Sequence, residues 1–499
     1  MGLPIVLTAD RTLMAQYTVL LDGMLASSQT TASPAPVIER LLLPRAKHVN
    51  GQAPLAPLGL RRIESALLES GLAPEDIATV DDAHLADAIG AETRIVAVSS
   101  GEPLGLGMSS STMTGVAGGE IYPQAMFRRL LQRTKRLVSE RAPQAKVVLG
   151  GPGAWQLAAD EARRLELGVD HVVLGYAEGN VAGIMRDLAE GRELPSVIAG
   201  QPVAAENIPL LRGASTMGVV EISRGCGLGC EFCTIGNVPM QHLSADRILS
   251  DIQTNLCAGQ TSIAILSEDL LRYGGNGLNC RPAELIALLT RITALPRLRL
   301  LQADHVNVIS IAAYSDDELA QVRHLLAGGA GRTPLSYPWF NIGIETASGQ
   351  LLQANGGRPK MGRTAPEDWG NFCREQLERL MRLGFVPMAS LVVGLPGETP
   401  EDLQQTLEWV RALQGRPITV FPVIYAPVQG EPLPHLTRLH WQLMQEAYEF
   451  NFRWVPRLYA DGQKAAGVSA ARRMLIQVLG KGNVVMWRRL LRARKAAAQ

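Results

Sequence analysis

The sequence predicts an α/β protein of two domains: an open parallel sheet covered by helices, then a partial (βα)6 barrel and a helical carboxy-terminal extension. Three observations carry that expectation. A length of 499 residues exceeds one ordinary domain. Short aliphatic runs alternate with helix-period segments through most of the chain. The alternation stops near residue 430, and no acidic residue follows Asp461.

In the first region the runs Ile5 to Thr8, Arg94 to Ser99, Lys146 to Leu149 and His171 to Leu174 predict strands. Between them, Leu60 to Glu69, Tyr122 to Arg141 and Trp155 to Leu165 repeat apolar residues at three- and four-residue steps, the period of a one-sided helix. Strands separated by helices pair in parallel. Segments Ser27 to Pro36 and Leu104 to Gly119, rich in Ser, Thr, Gly and Pro, read as loops.

A proline-marked stretch, Leu194 to Leu211, leads to six further strand candidates. They are Gly218 to Ser223, Ser262 to Ser267, Leu298 to Ala303, Phe340 to Glu345, Pro387 to Val393 and Ile418 to Tyr425. Each gap is expected to hold one helical segment, such as Ala245 to Leu256, Pro282 to Leu295 and Pro400 to Leu413. Six such units fit an incomplete barrel, in which the loops after the strands carry the chemistry. The expected domains are residues 1–205, 206–430 and 431–499.

Hydrophobic residues make up 46% of the chain, yet no apolar run approaches the roughly 18 residues of a membrane span. The start, MGLPIVLTADRTLM, reaches Asp10 and Arg11 too early for a signal-peptide core, so the expected location is cytoplasmic. Forty-eight basic residues nearly balance 47 acidic ones, but nine of the basic residues fall in the last 38. The preceding part carries 39 against 47, a net of −8, which argues against a nucleic-acid partner.

The strongest local signal is Cys226-x3-Cys230-x2-Cys233, directly after a predicted strand. Glycines at 225, 227 and 229 let this loop turn tightly enough for three sulfurs to converge. A three-cysteine [4Fe-4S] site leaves one iron open to a ligand. A zinc site completed by a distant residue and plain core thiols are the alternatives. Cys257, Cys280 and Cys373, in or near helical stretches, read as ordinary buried or half-buried thiols.

With Phe232 before the last cysteine, this motif resembles that of the radical S-adenosylmethionine (SAM) superfamily. Further elements match in order along residues 217 to 430. Ser267, Glu268 and Asp269 stand where that superfamily holds the methionine amine of SAM. Glu345 and Ser348, in Ile342-Gly-Ile-Glu-Thr-Ala-Ser, resemble its ribose-contacting element, and Gly394 to Gly397 its adenine loop. The resemblance implies a [4Fe-4S] cluster on Cys226, Cys230 and Cys233, SAM cleaved to a 5′-deoxyadenosyl radical, and an external electron donor such as flavodoxin or ferredoxin. The bland reading of Glu268, Asp269 and Glu345 is that of strand-end caps or barrel ion pairs.

The first region resembles the Rossmann-like domains of cobalamin-dependent radical SAM enzymes. The likeness rests on Val147-Val-Leu-Gly150-Gly151-Pro-Gly and Val172-Val-Leu-Gly175-Tyr-Ala-Glu178-Gly179, with Ser99 and Ser100 ending the preceding strand. Thr8, Asp10 and Thr12 line the first loop, threonine standing where many cobalamin proteins place a cobalt-binding histidine. Asp82-Ala-His84 only begins that motif, since Asp87 takes its glycine position, and His84 reads as a surface or core histidine. The resemblance implies cobalamin and methylation of an unactivated carbon: one SAM methylates cob(I)alamin, and a second yields the radical that activates the substrate. A cyclase or oxidative rearrangement enzyme is the runner-up, and a cobalamin or redox sensor the non-enzyme alternative. Radical SAM methylthiotransferases carry a second cluster on amino-terminal cysteines, and no cysteine precedes Cys226.

In the tail, Arg472, Arg473, Arg488, Arg489, Arg492, Arg494 and Lys495 alternate with apolar residues such as Met474, Leu475 and Trp487. Such a stretch suits either an anionic membrane surface, near a lipid-like substrate, or a packed helix with a solvated basic face. Tyr337, Trp339, Trp454 and Tyr459 are candidates for lining the pocket of a small-molecule substrate, or for core.

Overall fold

The computed structural model describes residues 2–328, 332–428 and 431–498, so residue 430, the expected end of the barrel, lies outside the described set. The chain divides into two units. One comprises Met1–Thr114, Gly118–Val220 and Asp246–Gln260; the other comprises Gly115–Ala117, Glu221–Ala245 and Thr261–Gln499.

The first unit is built on a six-stranded sheet in the order Ile77–Thr79, Ile5–Ala9, Ile95–Ser99, Lys146–Gly150, His171–Leu174, Val197–Ala199, every recorded pair parallel. Strand side chains alternate between two helix-covered cores. Val6, Val96, Val147 and Val172 face Phe127 and Leu130, whereas Ile5, Leu7, Ile95 and Val148 face Leu60 and Ile184. The order reverses between Ile5–Ala9 and Ile95–Ser99, and at such a switch point two diverging loops open a crevice at the carboxyl ends of the strands.

Three expectations here need correction. Leu104 to Gly119 carries a helix, Met108–Ala117, whose Thr112 and Thr114 hydroxyls donate to the carbonyls of Met108 and Ser110. Its serines and threonines masked the helical period because their side chains are satisfied within the helix. The helix expected over Trp155 to Leu165 breaks into Trp155–Ala158 and Glu161–Glu166, since Asp160 accepts from the Arg163 amide and starts a new helix. Likewise Ser27 to Pro36 is a loop only in its middle, between helices Leu20–Ser27 and Ala35–Leu41.

In the second unit the barrel strands follow one another in chain order. Val219–Glu221, Ser262–Leu266 and Leu300–Ala303 form a three-stranded sheet; His305–Val306, Asn341–Glu345, Met388–Val393 and Thr419–Ile424 form a four-stranded one. The third strand is interrupted at Asp304, and the recorded pairs are parallel. Contrary to one helix per gap, the third gap holds Val308–Ala312 and Asp316–Ala327, and the fourth holds Gly349–Ala354, Arg358–Met361 and Trp369–Arg382.

Two helices, Arg438–Ala465 and Ala470–Ala497, complete the chain. The first closes the free edge of the last strand. Asn451 Oδ1 accepts from the Val420 amide at 2.8 Å while its Nδ2 donates to the Val420 carbonyl at 2.7 Å, so one side chain stands in for a neighbouring strand. Tyr337 packs edge-on to Trp454, and Trp339, Trp454 and Tyr459 are buried; these aromatics form core rather than an open pocket wall.

Candidate functional site

The cysteine loop connects strand Ser223–Arg224 to strand Gln241–His242, which pair antiparallel at its base. Gly225 is at φ +78°, and a β-carbon there would lie 2.4 Å from the Pro239 carbonyl oxygen, so only glycine fits. The Cys226 amide donates to Val238 O, and the Cys226 carbonyl accepts from Arg272 Nη1 at 2.9 Å. Cys230 is buried and Cys226 and Cys233 half-buried. Burial raises all three thiols, Cys230 to about 11.

Thiolates around one tetrahedral zinc lie about 3.8 Å apart. Among the described residues the three cysteine sulfurs do not form a group within 4.8 Å of one another. Of the remaining cysteines, Cys373 is buried and Cys280 half-buried, but Cys257 is exposed, correcting the expectation for that residue. It ends helix Ala245–Cys257 on the solvent side.

The three SAM-related elements take distinct roles. Ser267 Oγ lies 2.5 Å from Ser223 Oγ and accepts from the Asp269 amide. Asp269 is fully buried, accepting from Ser310 Oγ at 2.5 Å and from the side-chain and backbone nitrogens of Asn307. It therefore braces the segment after the third strand. Glu268 is only half-buried, and burial raises its carboxyl, opposed by the nearby His305 ring. Burial would lower His305, but Asp304 and Glu268 outweigh it and hold the imidazole above its ordinary value. This partner was not legible in the sequence because the third strand was expected to end at Ala303.

Glu345 sits at φ +67° beside a register shift in its strand and pairs with the Lys360 ammonium. Burial would lower Lys360, but Glu345 and Cys230 hold it raised, placing a fixed positive charge beside the cysteine loop. Gly343 is the space this pair needs: a β-carbon there would meet Glu345 Oε1 and, at 2.5 Å, Lys360 Nζ. Ser348 is a helix cap, accepting from the Leu351 amide at 3.2 Å. In the adenine-type loop Gly394 (φ +78°) donates its amide to Glu398 Oε2 at 2.9 Å, and the same oxygen lies 2.7 Å from His440 Nε2 on the carboxy-terminal helix. Gly397, at φ +79°, faces open space. Phe232 is half-buried in the cysteine loop.

In the first unit, Thr8, Asp10, Thr12, Ser99 and Ser100 are buried at the carboxyl ends of neighbouring strands. Asp10 Oδ1 accepts from the amide and the hydroxyl of Thr12, and burial lifts the Asp10 carboxyl to about 6. Thr8 Oγ1, Asp10 Oδ2 and Ser100 Oγ are buried without a hydrogen-bond partner, which is costly unless a ligand completes them. Gly150 and Gly175 face open space, whereas Gly151 and Gly179 press on the Ser100 and Gln201 carbonyls; Glu178 is half-buried between them. Open glycines over orphaned polar atoms make a cradle fitted to a bulky ligand with a polar tail.

Residues 220–410 match the family model of the radical SAM superfamily, and that segment is a radical SAM domain. Curated relatives include tRNA-2-methylthio-N(6)-dimethylallyladenosine synthase 1 of Mycobacterium marinum, 23% identical over 372 residues, covering 71% of this chain and 61% of that protein. Ribosomal protein uS12 methylthiotransferase RimO of Pseudomonas putida is 27% identical over 234 residues, 43% of this chain and 45% of RimO. The chain thus spans less than two thirds of either relative. Among solved structures, the radical SAM methyltransferase TsrM of Kitasatospora setae, with cobalamin and a [4Fe-4S] cluster bound, superposes with a TM-score of 0.51 at 16% identity, covering 86% of this chain and 77% of TsrM. TsrM with tryptophan substrate and a SAM analog gives 0.52, also at 16% identity, covering 85% of this chain and 75% of TsrM. At that identity the likeness establishes fold: a Rossmann-like sheet domain, a radical SAM domain and carboxy-terminal helices.

Proposed function

We propose that this chain is a cobalamin-dependent radical SAM methyltransferase that methylates an unactivated carbon of a small or lipid-like molecule. One observation carries the reading: a three-cysteine radical SAM loop shares its chain with a parallel-sheet cradle in which Gly150 and Gly175 face open space and Thr8, Asp10 and Ser100 keep orphaned buried oxygens. The matching fold of TsrM, solved with cobalamin and a cluster, supports it. The curated relatives are named as a 2-methylthio-adenosine synthase and a methylthiotransferase, but the 225 residues before Cys226 contain no cysteine to hold a second cluster.

When bound, cluster and SAM supply a one-electron route to a carbon-centred radical, and cobalamin supplies a methyl carrier. Cys226, Cys230 and Cys233 hold the cluster. Phe232, Ser267 and Glu268 serve the methionine end of SAM, Glu345 the ribose, and Gly394 and Gly397 the adenine; Asp269 and Ser348 support these groups from behind. Thr8, Asp10, Thr12, Ser99, Ser100, Gly150, Gly151, Gly175, Glu178 and Gly179 serve cobalamin. Within this reading the domains are 1–205, 206–430 and 431–499, and the electron donor is a flavodoxin or ferredoxin.

The test is anaerobic reconstitution with iron, sulfide and hydroxocobalamin, then desalting and metal analysis. About four irons and one cobalt per chain are expected. Turnover with SAM should yield both S-adenosylhomocysteine and 5′-deoxyadenosine and a product heavier by about 14 daltons, one CH₂. Four irons without cobalt would overturn the methyl-carrier reading.

A further inference from the structure

Outside the sites above, one side-chain cluster in the first unit has the makings of an independent metal centre. His48 lies on the loop after helix Ala35–Leu41, Asp81 follows strand Ile77–Thr79, and His84 precedes the short helix Leu85–Ala88. The two imidazoles stack with ring centroids 3.6 Å apart. Both address one carboxylate oxygen: His84 Nδ1 lies 2.7 Å and His48 Nε2 3.8 Å from Asp81 Oδ1. One ligating atom from each residue falls within 4.8 Å of the other two, the only such trio among the described residues.

We propose that His48, Asp81 and His84 form a binding site for a divalent zinc-type cation. Two imidazole nitrogens and one carboxylate oxygen are a familiar donor set for such an ion, leaving a fourth position for water. The remaining geometry supports it. His48 Nε2 accepts from the Asp81 amide at 3.4 Å, a long and weak bond that a metal ion would replace. Asp81 Oδ2 is already oriented by Arg45 Nη1 at 2.9 Å, and Arg45 is itself held by Asp82, the kind of outer-shell support that ligating carboxylates use. The side chains of His48 and Asp81 are nearly enclosed, whereas that of His84 is 39% exposed and gives the ion a way in from solvent.

A bound ion would clip the 45–48 loop to the end of strand Ile77–Thr79. The proposal stands on these residues alone and is independent of the methyltransferase reading.

The experiment uses the full chain with its iron–sulfur cluster already assembled, so that the three cysteines cannot compete for the probe. Equilibrium dialysis against Zn²⁺ should give one zinc per chain beyond the background of His84→Gln, whose affinity should fall at least about tenfold. His48→Gln should fall similarly. Because His48 is buried, His84→Gln is the decisive variant: whatever its Tm without zinc, added zinc should raise the Tm of the parent but not of the variant. Zinc binding of equal affinity in parent and His84→Gln, or none in the parent, would overturn the proposal.

Discussion

Single side chains set the sharpest expectations. Asp10 is fully buried and its carboxyl sits near 6 rather than 3.8, chiefly through burial. The folded chain therefore binds this proton more tightly than the unfolded one, so the stability Asp10 contributes is complete below about pH 4 and is lost as pH rises through 6. Asp10→Asn, which mimics the protonated form, should stabilise the cofactor-free chain by about 3 kcal/mol at pH 8 and roughly half that at pH 5. Urea denaturation at the two pH values measures it, and a gain independent of pH would contradict the assignment. The Glu345–Lys360 pair is buried on both sides. Lys360→Met should cost about 3–5 kcal/mol by stranding the carboxylate, and adding Glu345→Gln should recover most of it; equal instability of single and double variants would show that the charge pairing is not what matters. The sequence made Glu345 legible through its motif. Lys360 was not, because its pairing depends on turns between residues 345 and 360 that leave no periodic trace.

Elements rather than single atoms decide how the loops are held. Gly225→Ala places a β-carbon against the Pro239 carbonyl and strains a left-handed residue, so the variant should retain little iron after reconstitution and desalting while its secondary structure stays intact. Iron content equal to that of the parent would show that the loop tolerates the change. The adenine-type loop is tied to helix Arg438–Ala465 through Glu398 and His440. His440→Ala should weaken SAM binding to the cluster-loaded chain about tenfold by freeing Glu398 from its second partner, and unchanged affinity would remove the helix from that role. Five of the six barrel strands were readable to within two residues at each end because β-branched runs flanked by turns leave few alternatives, while the third runs on past Asp304 to Val306. Helix Met108–Ala117 and the short strands Ile77–Thr79 and Val197–Ala199 were not. The first is rich in hydroxyl side chains that satisfy themselves locally, and three-residue strands are recruited by the sheet rather than by their own pattern.

Across the whole chain, charge is divided unevenly, with a net of −8 before Gly462 and nine basic residues with no acidic one after it. Helix Ala470–Ala497 carries eight of those basic residues, and Met474, Leu475, Val478, Leu479, Val485 and Met486 are exposed along it, each at least 37% accessible. These six fall on one side at helical spacing, while Trp487 and Leu491 are buried. No described helix is long and apolar enough to cross a membrane. An exposed apolar stripe flanked by Lys and Arg matches the chemistry of an anionic bilayer surface, whereas pairing with a second copy would set like charges against each other. The chain should therefore float with vesicles containing phosphatidylserine but not with purely zwitterionic ones, and 0.5 M salt should release most of it through screening. Leu475→Gln with Leu479→Gln should lower vesicle binding by an order of magnitude or more, since each exposed leucine contributes roughly 1.5–3 kcal/mol on burial and neither supports the fold. Vesicle binding that ignores both salt and this double change would leave the stripe without a membrane role and return the tail to a solvated basic helix.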